Sequence, residues 1–190
     1  DDVKQFPERQ LLELAELLAQ LHCIPLERFA DFVQGFDDPS LLSDTVEQYT
    51  RRTMANWRDY ARGSGHPPSP IIDYLLHWLE SNVPPDSRRP VLAHGDFGIH
   101  NLLAKNNVVT GVLDWEAAMF AAPEMDLVYV RPMVSKHIAW DRFVAHYVAC
   151  GGSAPSQAMM NYCMVFLSWR VILGGSLTMR NLQNGVTTDI

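Results

Sequence analysis

The sequence predicts an α+β fold that is mainly helical, with one compact β element set between two helical stretches. Three observations carry this reading. Apolar residues recur at helical spacing before residue 84 and again after residue 126. Between them, over 91–113, the apolar runs become short. Turn-forming residues separate those short runs.

The first helix is predicted from Pro7 to His22, where Leu11, Leu14, Ala15, Leu18 and Leu21 share one face and Pro7 suits the first turn. A second runs from about Leu41 to Arg62, carries Trp57, and stops before the turn-rich loop 63–70. Ser69 and Pro70 open a third as N-cap and first turn; Ile72, Leu75, Leu76 and Leu79 repeat at helical spacing until Pro84 and Pro85 end it. Val91–Ala93 then reads as a strand, and Leu102–Ala104 with Val108–Leu113 as a hairpin around Lys105, Asn106 and Asn107. After Asp126 the pattern is helical again, from Ser135 to Ala149 with Gly151 as the stop, and from Pro155 to about Asn184 with Gly185 as the stop. No boundary divides 1–190, which reads as one domain: helical over 1–85, a β segment over 91–116, helical over 124–185.

Composition narrows the function. A chain of 190 residues with 47% hydrophobic and 19% charged residues has the material for a core and no like-charge block. A net charge of −7 leaves no basic footprint for nucleic acid. Apolar stretches such as Met159–Leu167 are interrupted early and the N-terminus is acidic, so the expectation is a soluble, cytoplasmic protein with no membrane partner. Cys23, Cys150 and Cys163 show no CxxC spacing and are expected to be reduced and mostly buried.

The chemistry-bearing residues gather in the β segment. His94, Gly95 and Asp96 follow the first strand, Asn101 lies five residues after Asp96, and Asp114 ends the hairpin. A hairpin returning beside the first strand would bring three oxygen donors together. Carboxylate and amide oxygens are hard ligands that suit Mg²⁺, which keeps positions for substrate phosphates. Phosphoryl transfer also asks for a carboxylate that accepts the proton of the attacking hydroxyl, and Asp96 is placed to serve. A second reading takes His94, Asp96 and His100 as an H-x-D-x-x-x-H cluster which, with Asp114, would make a metal-dependent hydrolase. Plain roles stand beside these: turn capping for Asp96, hairpin termination for Asp114, hydrogen bonding for Glu116, an N-cap for Asp126. The aromatic and Met-rich run 159–179 reads as core before pocket wall, and Arg88 and Arg89 as a solvated turn.

HGDFGIHN at 94–101 and VLDWE at 112–116 resemble the catalytic loop and metal-binding segment of the aminoglycoside phosphotransferase family, small-molecule relatives of protein kinases. The nearest subset is similar to the kinase-like domains joined to acyl-CoA dehydrogenases. The resemblance implies a protein-kinase-like C-terminal lobe whose small β-hairpin carries the catalysis. It implies a transfer of the γ-phosphate of ATP or GTP, with Mg²⁺, to a hydroxyl of a small molecule. It makes Asp96 the catalytic base, Asn101 and Asp114 the Mg²⁺ and nucleotide ligands, and His94 the catalytic-loop histidine that orients it. Glu116 would touch the metal shell or a substrate amine. Pro123, Asp126 and Leu127 resemble the PxxDL segment, whose Asp supports the catalytic loop, although Ala121 and Ala122 stand where the family often has Gly-Asp. The acidic balance is compatible with a cationic acceptor such as an aminoglycoside. Lys4, Lys105 and Lys136 are the chain's lysines, none lies in a strand-rich N-terminal segment, and no GxGxxG occurs, so the N-lobe is expected to be missing. The alternative from another class is a non-catalytic kinase-like binding module.

Overall fold

The computed structural model describes residues 7–35, 39–105 and 108–186. Helix α1 (Glu8–His22) buries Leu11, Leu14, Ala15 and Leu18 on the face that the sequence spacing marks. A short α2 (Ala30–Gly35) follows. Helix α3 (Val46–Gly63) starts later than Leu41, because Thr45 forms a capping box: its hydroxyl accepts the Gln48 N–H at 3.2 Å, and the Gln48 side chain accepts the Thr45 N–H at 2.9 Å. Helix α4 (Pro70–Ser81) has Ser69 at its N-cap, but the hydroxyl caps nothing, so Pro70 supplies the start.

Strands β1 (Val91–Ala93), β2 (Leu102–Lys105) and β3 (Val108–Val112) fall where the short apolar runs place them. β2 and β3 form the expected antiparallel hairpin, with an irregularity between Leu103 and Ala104. Its turn at 106–107 lies outside the described residues. The hairpin does not pair with β1. That place belongs to β4 (Met119–Ala121), antiparallel to β1 with Val91 opposite Ala121 and Ala93 opposite Met119. Three residues inside the apolar run 117–122 are too few to show a strand period, so the sequence reading misses β4.

Helix α5 (Glu124–Val134) puts Asp126 within its first turn, not ahead of it, and Ala121 and Ala122 lead through Pro123 into it without disruption. The helix expected from Ser135 is corrected: a turn follows Val134, and α6 runs from Trp140 to Ala149. Helix α7 (Gln157–Gln183) packs on α4 and α5, while α1 packs on α6. Two buried hydrogen bonds tie α7 to α4, from the Trp169 indole to the Ile72 carbonyl (3.2 Å) and from the Tyr162 hydroxyl to the Leu79 carbonyl (3.2 Å). Among the described residues α7 is the helix long and apolar enough to cross a membrane by length and composition, which the early interruption at Asn161 conceals in the sequence. Its Phe166, Trp169 and Leu173 nevertheless sit in the core.

Three surface expectations change. Cys163 is buried, but Cys23 and Cys150 are exposed. Met164 and Met179 face outward, whereas Met159, Tyr162 and Phe166 are buried. Arg88 is not a solvated turn residue: its guanidinium bonds Asp86 (2.5 Å), the fully buried Glu124 (2.7 and 2.9 Å) and the Ala154 carbonyl (3.2 Å). Glu124 also accepts the Ser156 N–H at 2.7 Å, so one ion-pair network pins the starts of α5 and α7 to the segment before β1. Hydrogen bonding to Asp86 raises the Arg88 pKa, and although burial alone would raise that of Asp86, the Arg88 contacts hold it below the usual carboxylate range.

Candidate active site

The chain leaves the sheet at Ala93 and returns at Met119, and every candidate site residue of the loop and hairpin lies on that excursion. Asp126 fixes its base. One carboxylate oxygen accepts the His94 N–H (2.8 Å), the other accepts the Gly95 N–H (2.7 Å), and His22 donates to the first at 3.1 Å. The Tyr147 hydroxyl completes the chain of bonds on the other His22 nitrogen at 2.8 Å. Asp126 and His94 are fully buried. Gly95 has φ +78, and a Cβ there would lie 2.2 Å from the Ala117 carbonyl oxygen, so both the turn and the close approach require glycine.

His94 spends both ring nitrogens on the loop. Nδ1 accepts the Asp96 N–H at 3.3 Å and Nε2 donates to the Leu113 carbonyl at 2.9 Å, the tautomer following from the two partners. The ring packs on Trp115, centroid to centroid 4.6 Å. No nitrogen is left for a metal ion, which removes His94 from the H-x-D-x-x-x-H cluster and with it the basis of the metal-dependent hydrolase. His100 is exposed and lies 3.4 Å from Asp96.

Asp96 and Asn101 are brought together. The Asn101 amide donates to the Asp96 backbone carbonyl (2.9 Å) and to its carboxylate (3.0 Å). The Asn101 carbonyl accepts the Leu113 N–H at 2.8 Å, which joins the loop to the end of the hairpin one residue before Asp114. Asp114 itself adopts a left-handed conformation, φ 62 and ψ 63, the one positive φ among described non-glycine residues. Such strain concentrates at functional sites, where surrounding bonds hold it in place. The side chains of Asp114 and Glu116 are in exposed positions and make no hydrogen bond to a described residue. Carboxylate oxygen on Asp114 and amide oxygen on Asn101, whose NH₂ is already committed to Asp96, form a hard donor set that fits Mg²⁺.

Sequence reasoning misses Tyr129. It stands one helical turn after Asp126 on α5 and interacts with Asp96. Burial would raise the Asp96 carboxyl, but contacts from Tyr129, Asn101 and His100 outweigh it and hold the group below its ordinary pKa. Burial, and then Asp96, push the Tyr129 hydroxyl up to about 12. The i, i+3 spacing from the Asp of the PxxDL segment is the signal that could have found it. A pocket of about 130 Å³ opens between α3, β4, α5 and α7, lined among others by Trp57, Phe120, Met125, Met159, Tyr162 and Phe166; the candidate site residues do not line it.

A family model described as the phosphotransferase enzyme family matches residues 2–159. Acyl-CoA dehydrogenase family member 11 of Gallus gallus is 36% identical over 125 residues, which cover 64% of the chain and 15% of that relative. The chain therefore spans a small part of the curated relative it matches. Among solved structures, a putative aminoglycoside phosphotransferase from Ralstonia eutropha superposes with TM-score 0.69 at 17% identity, covering 96% of this chain and 59% of that one. A macrolide 2'-phosphotransferase from Brachybacterium faecium superposes with TM-score 0.62 at 20% identity, covering 97% and 57%. At these identities the likeness to the solved structures is one of fold.

Proposed function

This chain belongs to the phosphotransferase enzyme family, and we propose that it is the C-terminal, acceptor-side lobe of a kinase that moves the γ-phosphate of ATP or GTP to a hydroxyl of a small molecule. The observation that carries this reading is the joined placement of Asp96 and Asn101, with Asp114 held one residue beyond the backbone bond that ties the hairpin to Asn101. Asp96 accepts the proton of the acceptor hydroxyl through its carboxylate. Its depressed pKa keeps it ionised at neutral pH, and the bonds from Asn101 and Tyr129 aim it. Asn101 and Asp114 would hold Mg²⁺, which supplies charge neutralisation at the β and γ phosphates. His94 is a positioning residue, because its ring bridges the Asp96 amide and the Leu113 carbonyl.

Such chemistry also needs a lysine on the nucleotide phosphates and a loop that covers them. We assign both to a strand-rich N-lobe that these residues do not include. The reading places the enzyme in the cytoplasm, with nucleotide and small-molecule alcohol as its partners.

The test pairs two variants in a parent protein that carries an N-lobe. Asp96→Asn is expected to lower turnover by about 10²–10⁴-fold, with nucleotide affinity nearly unchanged. Asp114→Asn is expected to weaken Mg²⁺-nucleotide binding itself, measured by calorimetry. Equal loss of nucleotide affinity in both would overturn the division of roles. A parent with bound nucleotide and no transfer to any alcohol would favour the binding-module alternative.

A further inference from the structure

Away from the loop and hairpin, the packing of α1 on α6 brings together three side chains that the proposed chemistry does not use. Glu16 lies on α1, and His146 stands one turn before Cys150, the C-cap of α6. The i, i+4 spacing sets imidazole and thiol on one face, and the Cys150 N–H donates to the His146 carbonyl at 3.0 Å, which keeps the two in helical register. A carboxylate oxygen of Glu16, a ring nitrogen of His146 and the Cys150 sulfur all lie within 4.8 Å of one another. Among the described residues this is the one group of three such donors drawn so close.

Part of the arrangement has a plain explanation. His146 Nε2 and Glu16 Oε1 are 2.8 Å apart, a partly exposed pair that by itself adds little to stability. That pair gives no reason for the third member, since Cys150 is a free, exposed thiol. Nitrogen, sulfur and carboxylate oxygen together suit zinc, a borderline-soft ion, and not the Mg²⁺ for which the oxygens of Asn101 and Asp114 are matched. Tetrahedral zinc sets neighbouring donors about 3.3–3.6 Å apart. The Glu16–His146 pair would open by about 0.5 Å and the thiol close by at most about 1.5 Å, movements that side-chain rotation at a helix end supplies. Glu16 and His146 also line an open groove with Glu8, Glu13 and Arg142, so an ion can enter from solvent without opening the fold.

We propose that Glu16, His146 and Cys150 form a zinc site separate from the candidate active site, with the fourth position left to water. The ion crosslinks α1 to α6 across 130 positions of sequence. Tyr147, next to His146, bonds His22 at the end of α1, so the site braces the helix pair that holds His22 against Asp126. The proposal does not depend on the kinase reading.

The test uses the whole 190-residue chain, reduced and free of any affinity tag, with Co²⁺ as the coloured stand-in for zinc. One equivalent should give the visible absorption of a four-coordinate ion and a thiolate-to-cobalt charge-transfer band, and Zn²⁺ should erase both. Excess Mg²⁺ should leave both in place, because it does not compete for a thiolate. Cys150→Ser should abolish the charge-transfer band, and His146→Gln and Glu16→Gln should each weaken zinc binding by at least about tenfold. Cys23→Ser, which removes the other exposed thiol, should change neither. Saturating Zn²⁺ should raise the Tm of the unaltered chain and not that of Cys150→Ser. The site is overturned by the absence of a charge-transfer band, by a band that survives Cys150→Ser or disappears in Cys23→Ser, or by undiminished zinc affinity in His146→Gln or Glu16→Gln. An unchanged Tm overturns the crosslink. Should a variant misfold, alkylation of the unaltered chain by iodoacetamide decides: Zn²⁺ should protect Cys150 and leave Cys23 reactive, and equal labelling of Cys150 with and without Zn²⁺ overturns the site.

Discussion

Asp126 and Asp114 are twelve positions apart in the sequence and opposite in circumstance. Asp126 is fully buried, and both its oxygens are taken by backbone N–H groups and His22. Asp114 is in an exposed position, bonded to no described side chain, and held in a left-handed conformation by the backbone around it. Saturated polar groups here build the scaffold; on the proposed reading, the unsatisfied Asp114 is kept for Mg²⁺. The same contrast separates Arg88, which closes a network with Asp86 and Glu124, from Arg170 on α7, whose guanidinium lies 5.7 Å from the Trp57 ring centroid and whose Nη1 bonds to no described residue.

The contrast breaks most violently at Asp126. Asp126→Ala should cost about 3–5 kcal/mol in chemical denaturation, since it strands the His94 and Gly95 amides and the His22 ring without an acceptor. A loss under about 1 kcal/mol would mean that the loop base is held by packing. Arg88→Met follows at about 3 kcal/mol, because it leaves Glu124 buried without its cation. The acid limb gives a second reading of the same network. The folded Asp86 pKa lies below the unfolded one, so its stabilisation is present above about pH 4 and disappears as pH falls through the lower folded value. Urea denaturation from pH 6 down should therefore show a shallower acid loss in Arg88→Met than in the parent sequence. Gly95→Ala comes next, at about 1–3 kcal/mol, from the positive φ and the Ala117 carbonyl. Smallest is Asp114→Asn, whose stability should stay within about 0.5 kcal/mol of the starting protein even as Mg²⁺-nucleotide binding is lost. A marked destabilisation there would make Asp114 scaffold and dissolve the contrast.

What the sequence discloses follows the range of the interaction involved. α1, α4 and α7 are legible because their apolar residues repeat over several turns, and the hairpin because its two runs are adjacent. β4 is not, having three residues and a partner strand far back in the chain. The late start of α3 hangs on one Thr45–Gln48 exchange that apolar periodicity does not register. In the site, Asp96, Asn101 and Asp114 announce themselves by type and spacing within one short segment. His22, Tyr129 and Arg88 do not, since each matters through a residue elsewhere in the chain: His22 meets Asp126 across 104 positions. A charged residue's spacing says little about whether its partner exists, and that question separates Arg88 from Arg170.

The β1–β4 pair is a clasp that closes residues 94–118 into one excursion from the helical body. Helix–helix packing of α1 on α6 and of α7 on α4 and α5 does not pass through that excursion. Amide protons along it should consequently exchange together, in an opening less costly than global unfolding, while those of α1 and α7 exchange only when the whole molecule opens. Joint exchange ahead of α1 and α7 would mark the segment that carries the candidate chemistry as a cooperative unit of its own; exchange only on global unfolding would show that Phe97 and the Asp126 bonds fuse it to the body.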